Sequence, residues 1–145
     1  MSSEVPAERI TYAGATTAVL RAHRLVTQRV ETVLAPLGLT MARFEVLGLL
    51  NARSDGELSF TDLKRVTLMH PATMGHTIRK LEADGLLRRR PDTVDGRAQV
   101  AVLTRRGRTL ADRGTRALDA IRFGLEDLDE AGARRLDRQL SELRR

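Results

Sequence analysis

Apolar residues recur along this chain at helical spacing, in blocks separated by short polar or glycine-containing breaks. Val19, Val26, Val30, Val33 and Leu37 step by 7, 4, 3 and 4, so residues 10–34 are predicted to form one long helix with a single apolar stripe. Pro36 and Gly38 end it, and the polar residues 1–8 ahead of it are expected to be mobile. Thr40 is placed to cap a second helix in which Phe44, Leu47 and Leu50 line one side, ending between Asn51 and Gly56. Leu58 marks a short strand. Ser59 with Asp62 three residues on is close to a capping box, and Leu63 and Val66 give that third helix its buried side. After a turn of about four residues, Pro71 suits the first position of a fourth helix, where its missing N–H would be unbonded anyway. Met74, Ile78 and Leu81 fall at i, i+4 and i+7 and form its buried stripe. The opposite face carries Ala72, His76, Arg79 and Ala83, with Thr73 and Lys80 on its flank, and Asp84-Gly85 ends the helix.

Two β-prone runs follow, Leu86 to Pro91 and Gln99 to Leu103. Asp95-Gly96 between them suits a tight hairpin turn with positive φ. A helix-turn-helix followed by a two-stranded ribbon is a winged helix, so the fold class is mainly α with a small β component. Thr104 then caps a long helix predicted to reach about Gly124, with Leu110, Ala117, Leu118 and Ile121 on its apolar side. Residues 126–130 are an acidic break. A last amphipathic helix places Leu136, Leu140 and Leu143 at i, i+4 and i+7. The first helix and the last two have no part in a minimal winged helix. Their apolar faces most simply form a dimer interface, to which Val19, Val26, Leu118, Ile121, Leu136, Leu140 and Leu143 are assigned.

Composition adds constraints. At 145 residues the chain is a single domain's worth of protein, divided into dimerisation helices over residues 8–37 and 104–145 and a winged core over residues 40–103. With four aromatic residues (Tyr12, Phe44, Phe60 and Phe123), its core must be aliphatic. The formal charge of +6 favours an anionic partner. Lysine occurs only at Lys64 and Lys80, and such arginine-heavy usage can reflect coding bias, so the location of the charges counts for more than their sum. The absence of cysteine excludes thiol sensing, disulfides and thiolate metal sites. No run approaches the ~18 apolar residues of a membrane span, and the first residues lack an apolar signal core, so a cytoplasmic protein with no membrane partner is expected.

The helix ending Leu81-Glu82-Ala83-Asp84-Gly85-Leu86-Leu87, the run Asp95-Gly96-Arg97 (pattern Asp-x-Arg) and Leu103-Thr104-Arg105-Arg106-Gly107 (pattern Leu-Thr-x-x-Gly) together resemble the MarR family of bacterial transcription regulators. Each motif alone is weak; all three in order at these spacings are specific. The resemblance spans essentially the whole chain and is sharpest from Thr40 to Gly107. It implies a homodimer that binds a pseudo-palindromic double-stranded DNA operator, most simply as a repressor. The recognition helix and its approach would supply Ser59, His70, Ala72, Thr73, Gly75, His76, Arg79 and Lys80, and the wing Arg88, Arg89, Arg90, Asp95 and Arg97. His70 departs from the serine common in the family. The resemblance also implies a small, often anionic aromatic effector bound between the dimer helices and the winged domain, with Tyr12, His23, Arg43 and Phe44 as candidate lining residues. The lack of tryptophan tells against the urate-binding subgroup.

The blander interpretations remain beside these. Arg88 to Arg90 fit a solvated strand face equally well when taken alone, and Arg97 could simply pair with Asp95. Arg105 and Arg106 oppose the dipole of the helix they open, a cost that a nearby phosphate would offset. His23 has no second histidine or carboxylate at ligand spacing, so no metal site is expected, and no cofactor. No phosphate loop, zincin motif or nucleophile pattern supports an enzyme. The remaining alternative is a winged-helix module for protein or RNA contact. A protein-binding face would carry more exposed aliphatic or aromatic residues than Ala72, Thr73, His76 and Arg79 provide, and RNA recognition would use stacking aromatics that this chain almost lacks.

Overall fold

A computed structural model of the protein describes residues 7–67 and 69–144. The polar stretch expected to be mobile lies outside them as far as residue 6, and Ala7 and Glu8 already belong to helix α1 (Ala7–Leu34). The described elements then run α2 (Met41–Asn51), β1 (Glu57–Ser59), α3 (Phe60–Val66), α4 (Pro71–Ala83), β2 (Leu87–Pro91), β3 (Gln99–Leu103), α5 (Arg105–Ala120) and α6 (Glu130–Ser141). The three strands form one antiparallel sheet in the order β1-β3-β2, with Leu58 opposite Ala101 and Arg89 opposite Ala101 on the other side.

Local chemistry sets the boundaries. A 3₁₀ turn at Ala35–Leu37 and Gly38 at φ 69° end α1, and the Thr40 side chain accepts the Arg43 N–H at 3.2 Å to start α2. The core lies where α2, α4 and the sheet meet α5. Leu34, Leu47, Leu50, Leu63, Ile78, Leu81 and Leu87 are fully buried there, each contributing about 1.5–3 kcal/mol. Val66, predicted to share the buried side of α3, is 47% exposed, because this helix of under two turns presents Leu63 and, in part, Phe60 to the core.

Helix α5 departs from its predicted course. The central buried stripe is Gly107, Ala111, Gly114 and Leu118, so small residues let α5 lie close against α2. Leu110, Ala117 and Ile121 flank that stripe half-buried. The α-helix ends at Ala120 rather than near Gly124, since Arg122, Phe123 and Gly124 all have positive φ (46°, 54° and 84°) and reverse the chain. That reversal is held by Arg29 of α1, which donates to the Gly124 carbonyl at 3.0 Å and pairs with Asp127 at 2.7 Å. Leu118, assigned to the dimer interface, is instead fully buried in its own chain's core and unavailable to a second copy.

Two elements remain poorly covered. Residues 11–25 of α1 are exposed on every side, including Tyr12, Val19, Leu20 and Leu25, and α6 has no fully buried residue. Between them lies an apolar cavity of about 450 Å³ lined by Ala22, Leu25, Val26, Leu125, Leu128 and Leu136, among others. Val26, Ile121, Leu136 and Leu140 are half-buried, and Leu143 is 76% exposed. Among the described residues, no single helix is long and apolar enough to cross a membrane.

Candidate nucleic-acid interface

Helix α3, the turn after it and helix α4 present one outward surface. Ser59 caps α3 in both directions: its Oγ accepts the Asp62 N–H at 3.0 Å and donates to Asp62 Oδ2 at 2.9 Å. Asp62 also pairs with Arg65 at 2.8 Å, so the Ser59 hydroxyl is committed to holding the helix start. In the turn, the buried Thr67 hydroxyl donates to the Leu63 carbonyl at 2.8 Å. His70 takes the cap position of α4, where its Nδ1 accepts the Ala72 N–H at 3.3 Å and replaces the expected serine oxygen. Pro71 sits in the first turn as predicted.

The buried side of α4 is Met74, Thr77, Ile78 and Leu81; Thr77, polar yet only 4% exposed, escapes a reading based on apolar spacing. Turned outward and exposed are Ala72, Thr73, His76, Arg79, Lys80 and Ala83. Gly75 gives the Arg79 guanidinium room, since a side chain there would begin 3.4 Å from its Nη1. Among the described residues Thr73, His76 and Arg79 have no side-chain hydrogen bond or ion pair, so this surface carries uncommitted donors. Lys80 is paired with Asp84, at 3.8 Å.

The far end of α4 is locked to the long helices. Asp84 follows the last turn and Gly85 adopts φ 71°. Arg43 of α2 pairs with Asp84 Oδ2 and donates to the Gly38 carbonyl, both at 2.5 Å. Thr104 Oγ1 shares its one O–H between the carbonyls of Gly85 (2.8 Å) and Leu86 (3.0 Å) while accepting the Gly107 N–H (3.0 Å). The Leu-Thr-x-x-Gly motif is therefore a clasp between the end of α4 and α5.

In the wing, the three consecutive arginines have different surroundings. Arg89 pairs with Glu82 of α4 at 2.9 Å and stacks 5.3 Å over the Phe60 ring, tying the strand to α4 and α3. Arg90 pairs with Glu57 of β1, a hydrogen bond that raises its already high pKa, and donates to the Pro91 carbonyl at 3.0 Å. Arg88 is exposed and, among the described residues, unpaired. The tight turn expected at Asp95-Gly96 forms within a loop over residues 92–98, but Gly96 does not take the expected positive φ. The turn closes from the Ala98 N–H to the Asp95 carbonyl at 2.9 Å, a geometry that ordinary φ values satisfy. The Asp95 carboxylate accepts the Arg97 backbone N–H at 3.0 Å rather than the guanidinium, leaving the Arg97 side chain free among the described residues.

The effector candidates do not converge in the single chain. Tyr12 is 68% exposed on α1, His23 is exposed further along the same helix, and Phe44 is a core residue packed on Gly114. Arg43 borders a cavity of about 720 Å³, with Lys80, Asp84, Arg106 and Arg113 on its walls. Among the described residues no cluster of histidine, cysteine or carboxylate side chains could hold a metal.

Comparison with known proteins agrees with this geometry. The family model described as "MarR family" matches residues 37–98. An HTH-type transcriptional repressor of Mycobacterium tuberculosis is 42% identical over 94 residues, covering 63% of this chain and 66%, just under two thirds, of that protein. A MarR family transcriptional regulator from Streptomyces coelicolor superposes with a TM-score of 0.84 at 31% identity, over 93% of this chain and 94% of that one. Bordetella bronchiseptica BpsR, whose DNA binding is regulated by 6-hydroxynicotinic acid, has the same fold, with a TM-score of 0.79 at 24% identity over 88% and 91% of the two chains.

Proposed function

Because this chain belongs to the MarR family of winged-helix transcriptional regulators, we propose that it acts in the cytoplasm as a homodimeric repressor of a pseudo-palindromic operator. The observation that carries this is the exposed, uncommitted face of α4, with Thr73, His76 and Arg79, flanked by a wing whose Arg88 and Arg97 are also unpaired. Thr73 and His76 take the base edges of the major groove, while Arg88 and Arg97 take phosphates and the minor groove. Selection from a random duplex pool tests this directly. A palindrome should emerge with half-sites about one helical turn, roughly 34–36 Å, apart. Thr73→Ala or His76→Ala should narrow the gap between that site and random duplex by about 1–3 kcal/mol. A pool that stays random, or equal binding to single-stranded RNA, would favour a module without operator specificity.

The dimer is supported by the uncovered faces of α1 and α6 and the apolar cavity between them. Light scattering at micromolar concentration should give twice the 16.1 kDa chain mass. Leu140→Asp, placing a charge on the half-buried stripe of α6, should shift the mass toward the monomer and weaken operator binding with it. A monomeric wild type would sink both the dimer and the palindrome.

Release by a small anionic effector is the finer part of the proposal. The cationic cavity that holds Arg43 supports it, because that arginine joins Gly38, at the end of the first-helix segment, to the last turn of α4. An effector must bind free protein more tightly than the operator complex, by the factor with which it weakens DNA binding.

A further inference from the structure

We propose that Val94, at the tip of the wing, is a DNA contact that packs its methyl groups against the deoxyribose walls of the minor groove beside Arg97. This rests on the DNA-binding function proposed above and extends it to an apolar contact. Val94 is 95% exposed, more than any other large apolar side chain described. Tyr12, Val19, Leu20, Leu25, Phe123 and Leu143 are also exposed, but they lie on the first helix or the C-terminal segment, the regions assigned to a second copy, and Met41 (40%) and Val66 (47%), at the ends of α2 and α3, are each about half as exposed. Val94 sits on the wing with Arg97.

Its loop is braced from within. The Asp92 N–H donates to the Ala98 carbonyl and the Ala98 N–H to the Asp95 carbonyl, both at 2.9 Å. The Asp92 carboxylate accepts the Val94 N–H at 2.9 Å, and that of Asp95 accepts the Arg97 N–H at 3.0 Å. Both acidic side chains of residues 92–98 are thus turned onto the loop's own amides, while Val94 and the Arg97 guanidinium are left outward. A loop fixed in this way need not be ordered on binding, which removes one entropic cost of contact. A minor groove about 6 Å wide admits a two-methyl side chain between sugar C–H surfaces, and its negative potential attracts the neighbouring guanidinium. Aliphatic side chains serve as such contacts in other minor-groove proteins.

The two wing residues should differ in salt dependence. Val94→Ala and the isosteric Val94→Thr should weaken binding roughly three- to tenfold with no change in the slope of affinity against salt, because neither removes an ion pair. Arg97→Ala should lower that slope. Hydroxyl-radical footprints report deoxyribose accessibility. With Val94→Ala, protection of the flanking minor grooves should fall while the central protection stays. Binding is measured on the selected operator and on random duplex at low salt. Both variants binding as tightly as wild type, with full flank protection, would overturn the proposal. So would a change in dimer mass with Val94→Ala, which would assign the side chain to a chain–chain contact. A wild type that selects no site and protects no duplex would instead overturn the proposed function, and this inference with it.

Discussion

Gly107→Ala is expected to destabilise the protein by roughly 3 kcal/mol or more, against the ordinary gain of up to about 1 kcal/mol for alanine in a helix. A Cβ at Gly107 would lie 1.9 Å from the Leu86 carbonyl oxygen and 2.7 Å from Leu103 Cδ1. The leucine side chain can turn away. The carbonyl cannot, since it accepts from both the amide and the hydroxyl of Thr104, at 3.2 and 3.0 Å. Restoring an ordinary carbon–oxygen contact of about 3.3 Å therefore requires α5 to lift from the end of the recognition helix. The lift cannot stay local, because Gly114, two turns on, already packs where a Cβ would meet Phe44 at 2.8 Å. Gly85→Ala in the same junction is the control. It has a left-handed φ of 71° but nothing within 4 Å, so strain of about 1–2 kcal/mol is its whole cost. Urea unfolding at fixed protein concentration checks both. Equal costs would show that close approach is not what Gly107 supplies.

The largest effect on DNA binding is expected from removing Arg88 and Arg97 together. Each is exposed and unpaired among the described residues, so each is free for DNA. The proposed dimer would lose four cationic contacts, lowering the salt slope by about 3.6 and affinity at 0.15 M salt by roughly three orders of magnitude. Arg89→Ala and Arg90→Ala should behave otherwise. Their charges are already balanced by Glu82 and Glu57, so the slope should barely move. Arg89→Ala should instead loosen the wing, losing the Phe60 stacking of about 0.5–1 kcal/mol and leaving Glu82 without its partner. Salt titrations of the Arg88/Arg97 double variant, Arg88→Ala, Arg89→Ala and Arg90→Ala on one duplex check this. A slope that fell equally for Arg88 and Arg89 would mean that the Glu82 pair opens on DNA.

Much of this was legible in the residues. Met74, Ile78 and Leu81 fix which side of α4 is buried, and with it the outward side, because helical spacing depends only on backbone geometry. Ser59, Thr40, Thr104, Pro71 and Gly85 act where the sequence places them, since caps and turns are made by neighbours in the chain. Where a contact joins distant segments, the sequence had nothing to show. Three consecutive arginines look identical in a row, and only side-chain contacts from β2 across β3 to β1 and onto α3 and α4 separate the paired Arg89 and Arg90 from the free Arg88. Arg43 and Phe44 looked like effector contacts. Packing makes one a tie to Asp84, bordering a cavity, and the other a core residue resting on Gly114. Leu118 met the same spacing rule as Leu136 and Leu140 but is buried within its own chain, because the glycines on α5 bring that helix down onto α2. By itself, then, the sequence determined the inward and outward sides of α4, the caps and the family motifs, all local properties of the chain. Only the tertiary structure decided which charges are neutralised and which apolar residues are left over, because both depend on which distant side chains meet.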